Sequence, residues 1–235
     1  MRRSALVTGG TRGIGEGIVR ALAADGWRVV ACGLTEAEIA AFRPDPAVET
    51  RRLDVTDQAS AEAALAGLER LDLLVNCAGI IQRGGREFDI DGFRNTLEVN
   101  LVGTMRMCLA ARPLLAAARG SIVNTASMLS FQGSPFVPGY SASKGGVAQL
   151  TRSLAAAWAA EGIRVNAVAP GWIETDLTRP LVEDPARSAP ILARTPLGRW
   201  GRPDDLGGVV VFLASDAARF ITGTVLPVDG GYLAV

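Results

Sequence analysis

The chain has 235 residues, with 24 basic and 24 acidic side chains, and hydrophobic residues make up 49% of it. This length suits one α/β domain with a sizeable core, and the composition is that of a globular protein. The formal net charge of zero gives no overall field that would attract nucleic acid or an anionic membrane. The sequence contains no histidine, which excludes a Ser-His-Asp triad, a histidine zinc site and an imidazole general base.

The three cysteines, Cys32, Cys77 and Cys108, are far apart and show no C-x-x-C spacing. This pattern argues against a disulfide framework or a metal site and indicates a reducing compartment. The first apolar stretch is too short for a signal peptide, and no uncharged apolar run reaches the roughly 18 residues of a membrane span. We therefore expect a cytoplasmic protein with no membrane partner and no bound metal.

Short β-branched runs alternate with Ala- and Leu-rich stretches along the chain. The pattern predicts strands at 5–7, 28–32, 48–53, 71–75, 121–125, 164–169 and 224–228. It predicts helices at about 13–25, 35–42, 57–69, 91–118, 138–161 and 203–215, with an irregular segment at 171–202. Such alternation is typical of a parallel sheet with helices on both faces, so we expect one doubly wound, Rossmann-type α/β domain over residues 1–235.

A glycine-rich turn lies between the first predicted strand and the first predicted helix. Its sequence, Thr8-Gly9-Gly10-Thr11-Arg12-Gly13-Ile14-Gly15, has the spacing G-x-x-x-G-x-G, unlike the common dinucleotide fingerprint or a Walker loop. The glycines permit a tight turn and close approach of a ligand, and the helix N-terminus offers N–H groups to a pyrophosphate. The turn predicts dinucleotide binding, with a purely structural turn as the alternative.

Two other segments follow predicted strands at the edge where a doubly wound sheet binds its ligands. Asn76-Cys77-Ala78-Gly79 follows the fourth strand, and Asp54-Val55 follows the third. The Asp54 carboxylate can accept a hydrogen bond from an adenine amino group; the alternative is that it caps the next helix.

Tyr140 and Lys144 are four residues apart at the start of a predicted helix, so they share one helix face. A nearby ammonium lowers the pKa of a phenol, so the pair can supply the acid–base chemistry that histidine cannot supply here. Ser127 follows the preceding strand and can hydrogen-bond a carbonyl or alcohol oxygen. Asn100 lies within an apolar helix, where its amide requires a buried partner.

Taken together, these motifs resemble those of the short-chain dehydrogenase/reductase family. The resemblance rests on Thr8-Gly9-x-x-x-Gly13-x-Gly15, Asn76-x-Ala78-Gly79, Asn100, Ser127, Tyr140-x-x-x-Lys144 and Pro170-Gly171. It covers essentially the whole chain and departs at Cys77, where the family often has a second asparagine. It implies an NAD- or NADP-dependent oxidoreductase with a sheet of about seven strands and a homotetrameric assembly.

The resemblance also implies roles for individual residues. Tyr140 is the general acid/base, and Lys144 holds the nicotinamide ribose and lowers the tyrosine pKa. Ser127 orients the substrate oxygen, and Asn100 holds a water molecule in a proton relay. The implied cofactor-binding residues are Gly9, Thr11, Arg12, Gly13, Ile14, Gly15, Gly33, Leu34, Asp54, Val55, Asn76, Ala78, Gly79, Tyr140, Lys144, Pro170, Gly171, Ile173 and Thr175.

The choice between NAD and NADP depends on few positions. Gly33 stands where the family's NAD-selective aspartate would be, and Leu34 stands where an arginine often marks NADP preference. Arg12 either reaches a 2′-phosphate or is a solvated surface residue. These residues leave both cofactors open, and the resemblance described next favours NAD slightly.

Four segments resemble the sugar-acid branch of the family, namely Gly79–Arg83, Ala126–Gly133, Arg199–Leu206 and Val228–Ala234. That branch interconverts hydroxyl and keto groups on hexonates. Such a substrate requires a cation for its carboxylate and polar groups for its hydroxyls. The candidates are Arg83, Gln132 and Ser127, together with Arg179 or Arg194 from the segment 173–199.

Two alternative functions remain open. The same fold and catalytic residues support reduction of 3-oxoacyl thioesters, for which Arg106, Arg112 and Arg119 would form a docking patch for an acyl carrier protein. A non-catalytic dinucleotide-binding protein is the alternative from another class. In either enzyme, we expect the proline-rich segment 173–199 to form a lid that orders over the nicotinamide, with Thr175 touching the cofactor.

Overall fold

The structure is a computed structural model that describes residues 2–235. Seven strands form one sheet: β1 Ser4–Thr8, β2 Arg28–Gly33, β3 Val48–Arg52, β4 Leu73–Asn76, β5 Ser121–Thr125, β6 Arg164–Pro170 and β7 Val225–Val228. All neighbours are parallel, in the order β3-β2-β1-β4-β5-β6-β7. The order reverses between β1 and β4, so the loops after these strands diverge and open a crevice at the carboxyl edge. The doubly wound sheet is confirmed.

Two layers of helices cover the sheet because the strand residues alternate between its faces. Leu6, Leu74 and Ile122 face a core made with α3 Gln58–Leu65, α5 Gly103–Ala118 and α6 Pro138–Trp158. Val7, Val75 and Val123 face the opposite core, made with α1 Gly13–Ala24, α9 Asp204–Ala214 and the end of α2 Glu36–Ala41. Both faces of the sheet are therefore buried, as the apolar strands predict.

The predicted long helix at 91–118 is continuous but not uniform. It consists of α4 Ile90–Leu97, a π-helical turn at Glu98–Val102, and α5. By length and composition this helix could cross a membrane, with a mean hydropathy of 1.3 over its most apolar window, of which 33% is buried. A core helix passes the same test, and α5 packs its Met107, Cys108 and Leu115 against the sheet.

The segment 171–202 differs from the prediction, since it contains α7 Arg179–Val182 and α8 Pro185–Ala193. Two of its prolines, Pro180 and Pro185, lie in the first turns of these helices, where a missing N–H costs no hydrogen bond, whereas Pro190 lies inside α8. Asp184 caps α8 by accepting hydrogen bonds from the N–H groups of Ala186 and Arg187. The helix α3 also ends early, at Leu65, because Ala66 is extended and Gly67 has a φ of +73°.

The helices α1 and α9 pack closely because glycines lie at their contact. A Cβ atom on Gly207 would lie 2.5 Å from the Cβ of Ala21, well inside van der Waals contact. The adjacent Gly208 is exposed and has no neighbour within 4 Å of such an atom. Alanine substitutions at Gly207 and at Gly208 therefore distinguish the effect of close helix packing from that of helix propensity.

We predict that Gly207→Ala lowers the free energy of unfolding by about 1–3 kcal/mol, because the added methyl group forces the two helices apart. The matched Gly208→Ala change should raise it by about 0.5–1 kcal/mol, through the higher helix propensity of alanine. Urea denaturation of the two variants measures both effects. Equal stability of the two variants would contradict the packing described here.

Candidate active site

Two adjoining cavities open at the carboxyl edge of the sheet. The first, of about 450 Å³, lies against the glycine-rich turn, and the second, of about 800 Å³, extends beneath α7 and α8. They share the wall residues Ile14, Thr125, Tyr140, Thr175 and Leu177. Tyr140 therefore stands at the junction of the two spaces, where a reaction between two bound molecules would take place.

The glycine-rich turn forms one end of the first cavity. Gly9 and Gly13 have φ values of +62° and +54°, which favour glycine, and a Cβ on Gly15 would lie 2.0 Å from the Gly9 carbonyl oxygen. No side chain caps the N-terminus of α1, so its N–H groups are available to a ligand. The buried hydroxyl of Thr11 has no hydrogen-bond partner in the protein. These features fit a dinucleotide, whose pyrophosphate the turn and helix would hold.

Most of the predicted cofactor-binding residues lie on this first cavity. Its wall contains Gly9, Thr11, Arg12, Gly13, Ile14, Gly15, Leu34, Asp54, Val55, Ala78, Gly79, Tyr140, Lys144 and Thr175. The main-chain N–H groups of Cys77 and Ala78 each donate to the Thr8 hydroxyl at 3.0 Å, which joins the loops after β1 and β4. The cavity is thus built at the point where the strand order reverses.

Asp54 stays at the cavity wall and does not cap a helix. Its Oδ1 accepts hydrogen bonds from the N–H and the hydroxyl of Thr56, at 2.9 and 2.7 Å, and these bonds lower the pKa of Asp54. Asp57 caps α3 instead, by accepting from the N–H groups of Ala59 and Ser60. The alternative of a capping role for Asp54 is therefore wrong.

Asn76 and Gly33, also predicted to bind the cofactor, do not line the first cavity, and their role stays a prediction. Strand alternation turns Asn76 towards α5, where its Nδ2 donates to Asn124 Oδ1 at 2.9 Å and to Cys108 Sγ at 3.3 Å. Gly33 lies buried beneath Thr11. Three other predicted cofactor residues, Pro170, Gly171 and Ile173, line the second cavity.

The Tyr140–Lys144 pair lies on one face of α6, as its spacing predicts. Lys144 Nζ donates to the Thr125 carbonyl oxygen at 2.6 Å and lies 5.6 Å from the centre of the Tyr140 ring. Both side chains reach the first cavity, and Ser127 lines the second cavity together with Tyr140. Lys144 is also the only lysine in the chain, since the other 23 of the 24 basic residues are arginine.

Burial dominates the protonation of this pair. Burial raises the pKa of Tyr140 to about 12, although a hydrogen bond with Ser127 acts in the opposite direction. Burial lowers the pKa of Lys144 to about 8. Lys144 Nζ is held at the Thr125 carbonyl and burial disfavours its charge, and the lowering of the Tyr140 pKa by Lys144 stays a prediction. Tyr140 therefore holds its proton at neutral pH in this arrangement.

Asn100 lies behind Lys144, fully buried in the π-helical turn. Its side chain exchanges two hydrogen bonds with the main chain of Ile80, at 2.8 and 2.9 Å, and donates a third to Ser143 at 3.0 Å. A Cβ on Gly79 would lie 3.2 Å from Asn100 Oδ1 and 3.7 Å from Lys144 Nζ. All four predicted catalytic residues are brought together, and the water relay through Asn100 stays a prediction.

Glu87 is a buried carboxylate that no sequence motif marks. It belongs to a short 3-10 turn and is 1% exposed. Its Oε2 accepts from the main-chain N–H of Tyr140 and its Oε1 from that of Gln82, both at 2.8 Å. Since no side chain of the preceding residue caps α6, Glu87 supplies the negative charge that the helix N-terminus favours. Glu87 thereby positions Tyr140, which lies at the junction of the two cavities.

The second cavity contains three arginines without an acidic partner. Within residues 2–235, no carboxylate lies within 4.0 Å of the guanidinium groups of Arg83, Arg187 or Arg194. Burial and the charge of Arg187 both lower the pKa of Arg83, so these two cations influence one another. A cavity with this charge is suited to an anionic ligand.

Arg194 is held in place by Gln132, which is also a predicted substrate-binding residue. Its Nη2 donates to Gln132 Oε1 at 3.2 Å, and its guanidinium stacks 4.3 Å from the ring centre of Tyr232. Arg179, the other arginine proposed for the lid, is absent from the cavity wall and pairs with Asp176. Arg187 was not predicted, because it reaches the cavity only through the unforeseen helix α8.

The thiol of Cys77 lines the first cavity without being activated. Burial raises the pKa of Cys77, so the group is a neutral thiol at pH 7. The described residues contain no group of three or more Cys, Asp or Glu side chains that could hold a metal ion.

Comparison with known proteins gives full-length matches. A family model described as "Enoyl-(Acyl carrier protein) reductase" matches residues 9–233. A 2-dehydro-3-deoxy-D-gluconate 5-dehydrogenase from Bacillus subtilis (strain 168) is 43% identical over 240 residues, covering 98% of this chain and 94% of the relative. A cis-4-hydroxycyclohexanecarboxylate dehydrogenase from Sinomonas cyclohexanicum is 42% identical over 245 residues, covering 99% and 97%.

A solved structure shares the same architecture. The gluconate 5-dehydrogenase from Burkholderia cenocepacia J2315, in complex with NADP and tartrate, has a TM-score of 0.90 and 37% identity, covering 99% of this chain and 96% of that one. These similarities extend over the glycine-rich turn, the catalytic residues and both cavities. The chain belongs to the short-chain dehydrogenase/reductase family.

Proposed function

We propose that the protein is a nicotinamide-dependent dehydrogenase that interconverts a secondary alcohol and a ketone on a sugar acid. The observation that carries this proposal is the group of three unpaired arginines beside Tyr140 in the second cavity. Guanidinium groups bind carboxylates through paired, charge-assisted hydrogen bonds. The two relatives and the solved structure named above all take their names from carboxylate-bearing compounds.

The first cavity would hold the cofactor, through the glycine-rich turn, Asp54, Val55 and Lys144. When bound, the nicotinamide supplies or accepts the hydride. Tyr140 transfers the proton at the substrate oxygen, and the Ser127 hydroxyl on the same wall orients that oxygen. Ketone reduction uses the phenol in its protonated form, which is the form Tyr140 has at neutral pH, whereas alcohol oxidation requires the phenol to be deprotonated.

The thioester alternative receives less support from the structure. Arg106 donates to the Val55 carbonyl oxygen and pairs with Glu98, and Arg112 pairs with Glu161. These contacts engage two of the three arginines of the proposed docking patch, so their charges are compensated. A protein that only binds a dinucleotide would not require the Tyr140–Lys144 pair. Turnover in the assays described below would exclude this alternative.

We further propose a cytoplasmic homotetramer with 173–199 as its substrate lid. Support for an assembly comes from exposed hydrophobic residues, with Phe220 fully exposed and Phe88 69% exposed, which a partner subunit would cover. Support for the lid comes from Thr175 and Leu177, which line both cavities. The Arg83 guanidinium donates to the Leu177 carbonyl at 3.2 Å and so connects the lid to the loop after β4.

We expect Tyr140→Phe to lower kcat about 10²–10⁴-fold, because the variant has no proton to transfer. The dissociation constant of the cofactor should stay within about twofold, since the phenol contributes little to the first cavity's contacts. Nicotinamide absorbance measures the rate on 2-dehydro-3-deoxy-D-gluconate and on gluconate. Tyr232→Phe, at the other tyrosine of the second cavity, is the control for loss of a phenol and should retain kcat, with any effect confined to KM, because its hydroxyl contacts Arg194 and not Tyr140. A Tyr140→Phe enzyme with wild-type turnover would contradict the assignment.

We expect Arg187→Gln and Arg83→Gln each to raise KM for a sugar acid about tenfold or more, since each loses a charge-assisted hydrogen bond to the carboxylate. Turnover of a neutral polyol should change little in the same variants. Arg179→Gln, outside the cavity, is the matched control. Equal losses on the acid and the polyol would show that these arginines maintain the fold and do not bind the carboxylate.

The pKa of Lys144 can be measured directly, because it is the only lysine. We expect its ¹³C-labelled side chain to titrate near pH 8 in the folded protein, since burial disfavours the ammonium. In urea the midpoint should return to about 10.4, the value of a solvated lysine. A folded-state midpoint above 10 would show that the site solvates the ammonium or supplies it with an anionic partner.

A further inference from the structure

The outer rim of the first cavity holds a charged pair that the catalytic chemistry does not use. Arg12 from the glycine-rich turn and Glu38 from α2 both line the cavity, beside Leu34 at the end of β2. In a doubly wound sheet, the residues after the second strand face the ribose that carries the 2′ group. This pair therefore lies where NAD and NADP differ.

At the position where the family's NAD-selective aspartate would be, this chain has Gly33, which lies close to neighbouring side chains. A Cβ on Gly33 would lie 2.7 Å from Thr11 Oγ1 and 3.3 Å from a side-chain carbon of Ile39. An aspartate at position 33 would have to displace the side chains of Thr11 and Ile39. An acidic group that reads the 2′ position must therefore come from another residue.

Glu38 supplies such a group, because its side chain folds back over the end of β2. Its Oε2 accepts from the main-chain N–H of Leu34 at 2.8 Å, and its Oε1 lies 3.5 Å from Arg12 Nε. The Glu38 side chain is 24% exposed, whereas that of Arg12 is 63% exposed. The carboxylate is thus fixed by the main chain, and the guanidinium is the more mobile partner.

Arg52 lies next to this rim, where its Nε donates to the Leu34 carbonyl oxygen at 3.3 Å. Glu38 is the acidic partner of Arg12, and without it the rim would carry the uncompensated positive charge of that guanidinium. Such a rim would attract a phosphate, whereas the Glu38 carboxylate repels one and can accept a hydrogen bond from a hydroxyl.

We propose that Glu38 is the residue that discriminates between the two nicotinamide cofactors, accepting from the 2′-hydroxyl of NAD and disfavouring the 2′-phosphate of NADP. Arg12 is its counterion with NAD and would become the phosphate ligand once Glu38 is neutral. This inference rests on the proposed dinucleotide cofactor, and it assigns the choice between NAD and NADP to residues after β2.

Helix capping is the competing explanation for Glu38. Thr35 caps α2 by accepting from the Glu38 N–H at 3.2 Å, and Glu36 and Glu38 are both acidic residues of the first turn. A capping role predicts that Glu38→Gln changes stability and leaves relative cofactor affinity unaltered. Glu36→Gln is the matched control, because Glu36 lies in the same helical turn, is exposed and does not line the cavity.

The experiment measures the dissociation constants of NADH and NADPH by fluorescence titration, without substrate, for the wild type and the variants Glu38→Gln, Glu36→Gln and Arg12→Gln. We expect Glu38→Gln to favour NADPH over NADH by at least tenfold more than the wild type does. Glu36→Gln should leave this ratio unchanged. The double variant Glu38→Gln/Arg12→Gln should lose most of the gain in NADPH affinity.

An unchanged ratio in Glu38→Gln, or an equal shift in Glu36→Gln, would overturn the inference while leaving the proposed function intact. Absence of binding of either dinucleotide to the wild type would overturn both. Thermal unfolding verifies that each variant is folded. If Glu38→Gln were unfolded, the single variant Arg12→Gln still decides the matter. It should bind NADPH no more weakly than the wild type does, because Glu38 already occupies its guanidinium, and a tenfold loss would show that Arg12 binds the phosphate regardless of Glu38.

Discussion

The buried carboxylate of Glu87 is the constraint on which the geometry of the site depends. It accepts hydrogen bonds from the loop after β4 and from the first turn of α6, two segments that the sheet brings near each other but does not join. A buried carboxylate is costly unless its oxygens are satisfied, so the two segments are held in one relative position. The position of Tyr140 follows from that contact, and the Lys144 and Asn100 contacts then fix the rest of α6 against the sheet.

The two cavities differ in the charged groups that they present to a ligand. The first presents main-chain N–H groups and glycines at one end, carries Asp54 and Lys144 on its wall, and has the compensated Arg12–Glu38 pair at its outer rim. The second concentrates cations that have no acidic partner in the part of the chain described. Tyr140, the proposed proton donor, is a neutral phenol between these two environments.

The strands, the glycine-rich turn and the Tyr140–Lys144 pair could be predicted because each depends on short-range periodicity or spacing. The direction of Asn76 was also available in principle, since it follows Val75 in a strand and must face the opposite side of the sheet. Glu87 and Glu38 could not be predicted, because each contacts a residue that is distant in sequence, Tyr140 and Arg12 respectively. Arg187 was missed for a different reason: Pro185 suggested irregular chain, whereas proline is favoured in a helix's first turn.

Since 23 of the 24 basic residues are arginine, the protein should respond to alkaline solution differently from a protein rich in lysine. Every ion pair found among residues 2–235 has an arginine as its cation, and guanidinium groups stay charged above pH 12. A surface rich in lysine loses its positive charge near pH 10, but this one keeps it. Burial, in contrast, lowers the pKa of Lys144 to about 8. Moderately alkaline solution therefore neutralises Lys144 beside Tyr140 while the arginine charges of the surface persist, so that the proposed active site and the surface respond to different pH ranges.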